Sequence, residues 1–127
     1  MEIREIRTDD APAPVGPYSQ AVQAGDFIFC SGQIALDPET GAYVAADIGT
    51  ETIRVMENLK AVLAAAGSSL DRVVKTTIYV RDMNDFAVIN KAYGSFFASS
   101  PPARATIQVA ALPKGAGVEI ECIAVKA

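Results

Sequence analysis

Five places in the chain combine residue types that do chemistry with neighbours that would hold them still. The fullest is Pro101-Pro102-Ala103-Arg104-Ala105-Thr106. Two prolines fix the backbone just ahead of an arginine, whose planar fork of donors suits a carboxylate held bidentately. The ordinary reading is a solvated or salt-bridged arginine at a strand start. In Val118-Glu119-Ile120-Glu121-Cys122 two carboxylates share one side of a strand. Like charges that close repel, so the pair calls for a raised pKa or a cationic partner. A solvent-facing strand accounts for it equally simply. Cys30-Ser31-Gly32-Gln33 closes an apolar run with a glycine, which admits a close approach and frees an N–H, or marks a bulge. Gly16-Pro17-Tyr18-Ser19-Gln20 is a turn that delivers a tyrosine or simply packs one. Asn90 borders a helical apolar stripe, where plain surface polarity is the bland account.

What is missing narrows the chemistry further. The 127 residues contain no histidine. That removes Ser-His-Asp triads, Cys-His dyads, His-ligated zinc and imidazole acid/base catalysis. Only two cysteines occur, Cys30 and Cys122, with no Cys-x-x-Cys spacing, so no metal site is expected. Catalysis must run on carboxylates, Arg or Lys, Tyr, hydroxyls, backbone groups and water. The formal net charge is −4, a poor balance for gripping phosphate backbones. No stretch approaches the roughly 20 apolar residues of a membrane span. The alternating start Met1-Glu2-Ile3-Arg4-Glu5-Ile6-Arg7 lacks an apolar signal core. With two unpatterned thiols, this points to the cytoplasm.

The elements that must position these residues follow from periodicity. Half of the chain is hydrophobic and 20% charged, which suits one globular domain over residues 1–127. Residues 2–6 alternate as a strand, and 9–17 are a proline-rich loop. Residues 18–23 and 27–32 form a hairpin around Ala24-Gly25-Asp26, and 37–41 a turn. From Asp47, the residues Ile48, Thr52, Val55, Met56, Leu59, Val62, Leu63 and Ala66 mark the buried face of a helix closed by Gly67. Residues 73–80 are a strand with Val74, Ile78 and Val80 toward the core. A second helix starts after Asp82 or Asn84 and runs to about residue 98, with Phe86, Ile89, Tyr93 and Phe96 as its stripe and Pro101-Pro102 ending it. Strands at 104–110 and 118–125 close the fold.

The β-α-β unit over 73–110 implies two parallel strands, with both helices on one face of the sheet. The other face carries apolar side chains with no helix left to cover it, so it is expected to be buried in another subunit. If the last two strands paired as a simple hairpin, Arg104 and Glu119 would lie about 15 Å or more apart. One site using both would then draw them from different chains.

The segments APAPVGPYSQAV, FIFCSGQI, DPETG, VVKTTIYVRDMNDFAVINKAY, PPARAT and VEIECIAV run in order across nearly the whole chain. In this series the chain resembles the RidA type of the Rid family. The resemblance implies an α+β, chorismate-mutase-like fold, with a six-stranded mixed sheet, two helices on one face and a homotrimer with sites between subunits. It implies a 2-iminobutanoate/2-iminopropanoate deaminase, a cofactor-free hydrolase that converts 2-aminoacrylate-type enamines and imines to 2-keto acids and ammonia. By residue, it implies Arg104 as the carboxylate clamp, Glu119 as the acid near the attacked carbon, and Tyr18, Ser31, Gly32, Asn90 and Thr106 as the rest of the pocket. Relatives often have cysteine where this chain has Thr106; the role ascribed to that position is a backbone carbonyl, which threonine keeps. Two other readings stand beside this one. The first is a trimer that binds small carboxylates without turnover. The second is an endoribonuclease or translation inhibitor, against which the acidic charge and missing histidine argue.

Overall fold

A computed structural model describes residues 1–127. Its elements are β1 (Ile3–Ile6), β2 (Ala21–Ala24), β3 (Phe27–Gln33), α1 (Ile48–Ala65), β4 (Val73–Val80), α2 (Phe86–Gly94), β5 (Ala103–Gln108) and β6 (Val118–Val125). The strands form one six-stranded mixed sheet in the order β1-β2-β3-β6-β4-β5. Only β4 and β5 pair in parallel, across the α2 connection. The last two strands are therefore not a hairpin. β4 lies between them, antiparallel to β6. This α+β architecture, a six-stranded mixed sheet with two helices, is the one the family resemblance implies.

α1 starts where Asp47 caps it, its side chain accepting from Thr50 N at 3.0 Å. It ends as Gly67 enters the left-handed region at φ 74°, while Ser68 N reaches back to Leu63 O at 2.8 Å. Thr52, Val55, Met56, Leu59, Val62 and Leu63 are buried as the periodicity predicts, Ile48 is only partly buried, and Glu51 and Asn58 are buried beside them. The buried apolar residues join Ile28, Ile78, Ile120 and Ile89 in the main core. No helix is long and apolar enough to cross a membrane.

Three expectations need correction. Val74 is exposed, while Val73 and Thr76 are buried. A register shift between Val73 and Lys75 turns the strand start over, as a bulge does by adding one residue to one strand. α2 ends at Gly94, well short of Pro101-Pro102. There the Ser95 hydroxyl donates to the Ala92 carbonyl at 2.6 Å, and single turns carry the chain on through Phe97. The residues after Asp82 form a short 3-10 turn, Met83–Asp85, which the Asp82 side chain caps.

β6 alternates strictly: Val118, Ile120, Cys122 and Ala124 point into the core, and Glu119, Glu121, Ile123 and Val125 point away from it. Through the ladder, Phe27 and Phe29 of β3 share that second face with Val125 and Ile123. Phe27, Phe29 and Ile107 remain close to half exposed on it. Cys30 and Cys122 are ladder partners inside the core, both free thiols. The neighbouring Cys30 thiol, together with burial, pushes the Cys122 thiol far above its ordinary range. Such thiols are inert fillers.

Candidate active site

The residues singled out in the sequence assemble into two groups. Tyr18, Ser31, Gly32 and Glu119 line one cavity, with Lys114 and Glu121 in its wall. Arg104 and Asn90 line a second depression beside Tyr93 and Pro102. Thr106 stands with Arg104, Met83 and Phe86 in a third, shallow one. Within one chain the first cavity does not meet the other two depressions.

The first group is built around the outer face of β6. Glu119 is a ladder partner of Tyr79 on β4. Its carboxyl is held above the ordinary 4.5, first by burial and then by the Glu121 charge two residues on. Burial, followed by the same Glu121, also raises the Tyr79 phenol. Opposite Glu119, β3 slips register between Cys30 and Gln33 and brings Gly32 close. A Cβ at Gly32 would sit 2.5 Å from Glu119 Oε2, closer than any side chain permits. Of the two readings of this glycine, close approach and bulge, both apply.

Ser31 is tied inward. Its hydroxyl donates to Ser19 O at 2.6 Å, and its N–H to Gln20 O at 3.0 Å. Gln20 is a positioning residue that periodicity had marked only as part of a strand. It is buried, accepts from Thr8 N at 2.8 Å, and donates to Thr8 O and Pro12 O at 3.0 and 2.9 Å. One carboxamide thus satisfies the backbone of the proline-rich loop. This explains why residues 18–20 leave the ladder and present Tyr18, which is 47% exposed, at the cavity mouth. No motif in the sequence marks Lys114 either. It adopts φ 58° in the turn before β6, and no side-chain pattern signals such a conformation in a lysine.

The turn that carries Lys114 is pinned from the core. Glu51 of α1 is buried and accepts from Gly117 N at 2.9 Å and from the Tyr43 hydroxyl at 2.6 Å. Burial and this carboxylate push the Tyr43 phenol up to about 12. A Cβ at Gly117 would meet Ile48 Cδ1 at 2.6 Å, so any side chain there displaces the end of Ile48.

The second group is built on the edge strand β5 and the helix α2. Arg104 pairs with Thr76 of β4, which faces the core and shares a 2.7 Å hydrogen bond with the Tyr93 hydroxyl. The guanidinium carbon lies 5.4 Å from the Tyr93 ring centre and 5.6 Å from that of Phe86. Its Nη1 donates to Asn90 Oδ1 at 2.6 Å. Two aromatic faces and one carboxamide hold the fork in place and leave it no carboxylate partner within the chain. Asn90 is thereby the residue that orients the arginine.

A half-buried acid of raised proton affinity lines one cavity, and a pre-set guanidinium without an anion lines another depression. The chain matches the family model described as Endoribonuclease L-PSP over residues 8–126. It is 50% identical to the mouse 2-iminobutanoate/2-iminopropanoate deaminase, an alignment covering 95% of this chain and 90% of the relative. The solved structure of RidA from an Antarctic Psychrobacter superposes with a TM-score of 0.93 at 47% identity, covering 96% of this chain and 98% of the other. Escherichia coli TdcF with bound serine does so with a TM-score of 0.93 at 42% identity, covering 98% and 99%. The chain belongs to the Rid family, which the L-PSP model describes.

Proposed function

We propose that this protein is a deaminase of 2-imino acids, hydrolysing the imine and enamine forms of 2-aminoacrylate-type metabolites. The observation that carries the reading is the pair of unused groups: an arginine oriented without an anion, and a carboxyl whose proton affinity burial raises. The deaminase name of the mouse relative and the serine bound to TdcF favour a small amino-acid-like ligand. Site residues Arg104 and Glu119 are catalytic in this reading, and Tyr18, Ser31, Gly32, Asn90 and Thr106 shape the pocket.

Arg104 clamps the substrate carboxylate, helped by the Gly32 N–H. The Thr106 carbonyl accepts from the protonated imine nitrogen and favours the electrophilic iminium. Glu119 orients a water and takes its proton as the oxygen attacks the C=N carbon. The resulting carbinolamine takes a proton on nitrogen, expels ammonia and leaves a 2-keto acid. Such imines hydrolyse in water unaided, so positioning and one acid/base group suffice.

The site is completed between subunits of a homotrimer. Arg104 and Glu119 lie on opposite faces of one sheet, and the second face carries the exposed Phe27, Phe29 and Ile107. A neighbouring copy that covers this face buries those side chains and brings its own arginine toward the Glu119 cavity. The soluble cytoplasm, where pyridoxal-phosphate enzymes release such imines, is the fitting compartment.

The test is a coupled assay in which a serine/threonine dehydratase generates 2-aminoacrylate and loss of the imine absorbance is followed. Added protein accelerates the loss, and Arg104→Ala abolishes the acceleration while the fold persists. An imine decay unaffected by the wild-type protein overturns the reading. RNA cleavage that survives Arg104→Ala favours the nuclease reading instead.

A further inference from the structure

We infer that the Thr106 side chain, and not only its backbone, hydrogen-bonds the group carried on the substrate's α-carbon. The inference rests on the imino-acid reading above and deepens it.

The hydroxyl of Thr106 is shielded from solvent and has no hydrogen-bond partner in the chain. Buried hydroxyls are nearly always satisfied, because leaving one unpaired is destabilising. Valine has the same shape and the same liking for strands, and would avoid that penalty. The neighbouring layer shows that a threonine here can be satisfied. Thr76, one strand over, shares its hydroxyl with Tyr93 at 2.7 Å.

Position says what the hydroxyl waits for. Thr106 pairs with Ile78 as Arg104 pairs with Thr76, so both β5 side chains lie on the same side of the sheet. They share one depression with Met83 and Phe86. Side chains two apart on a strand are about 7 Å from each other. A carboxylate seated on the guanidinium spans part of that gap, and rotation about the Thr106 Cα–Cβ bond, which breaks no hydrogen bond, turns the hydroxyl toward the atom on the adjacent carbon. A hydroxyl both accepts and donates. It can take an N–H from an imine or enamine and give its proton to the carbonyl oxygen of the 2-keto acid product.

The experiment compares Thr106→Val and Thr106→Ser with the wild-type protein. Binding of 2-oxobutanoate is measured by calorimetry, imine turnover by the coupled assay, and ligand-free melting by scanning calorimetry. Thr106→Val weakens 2-oxobutanoate binding about tenfold, as the loss of one buried hydrogen bond does. Its melting temperature equals or exceeds that of the wild type. Thr106→Ser restores binding to within about twofold. The inference is overturned if Thr106→Val binds and turns over like the wild type. A melting temperature several degrees lower overturns it too, since the hydroxyl then serves a structural partner. Absence of turnover in the wild type, with 2-oxobutanoate still bound in a Thr106-dependent way, removes the deaminase reading and leaves this one standing.

Discussion

Arg104 and Glu119 stand on opposite faces of one sheet. The guanidinium lies against Phe86 and Tyr93 of α2, on the helix-covered side. Glu119 alternates with the core residues Val118 and Ile120 and points to the other side. β4 lies between their strands, with Thr76 opposite Arg104 and Tyr79 opposite Glu119. No rotamer change carries either side chain through a hydrogen-bonded sheet.

Complementation follows. Arg104→Ala and Glu119→Gln are each inactive alone. Mixed by unfolding and refolding in equal amounts, they regain about a quarter of wild-type activity, because random assembly gives that fraction of interfaces both native residues. Activity that stays at the level of the separate variants places both residues of a site in one chain.

Gly32→Ala removes activity without unfolding the protein. The added Cβ would meet the Glu119 carboxylate at 2.5 Å, and a partly exposed side chain yields before the backbone does. The expected loss is about a hundredfold in kcat, similar to that of losing the acid/base group itself. Steady-state kinetics, with circular dichroism as a fold control, checks it.

Glu119 sets a pH dependence in both activity and stability. As a base it must be ionised, so the acid limb of kcat/KM lies above 4.5, the ordinary value from which burial and Glu121 raise it. Glu121→Gln removes the nearby charge and moves that limb to lower pH. For stability, the native state holds this proton more tightly than the unfolded chain. Stability therefore falls as pH rises from the unfolded value to the raised native one, and is flat above it. Glu119→Gln is then more stable than the wild type at neutral pH, and the difference fades below pH 4.5. Denaturant titrations at several pH values measure this.

Glu51→Ala destabilises the fold by about 3 kcal/mol, because a buried donor, Gly117 N, and a partly buried one, the Tyr43 hydroxyl, lose their acceptor. The turn bearing Lys114 loosens with it, so KM rises before the protein melts. Glu51→Gln keeps an acceptor and restores most of the loss.

Local pattern went far in this chain. The α1 stripe, its glycine stop and the parallel pairing of β4 with β5 were all readable, since helical period and crossover geometry depend on residues near one another. Strand order was not. That β4 separates β5 from β6 depends on how both helices cover one face, a long-range fact. The start of β4 departs from simple alternation for a related reason. A bulge shifts alternation by one residue, and Val73-Val74 offers two equivalent hydrophobic choices.

For the candidate site, residue types were visible and partnerships were not. Composition alone confined catalysis to carboxylates, Arg or Lys, Tyr, hydroxyls, backbone groups and water, because the chain has no histidine. The motif order marked Arg104, Glu119, Gly32 and Asn90. It said nothing of Gln20 stapling the loop, Glu51 anchoring the Lys114 turn, or the unpaired Thr106 hydroxyl. Those relations join residues far apart in the chain, and they exist only once the sheet has brought β3, β5 and β6 into register. Burial, which raises the proton affinity of Glu119, is likewise a property of the packed molecule and not of any segment.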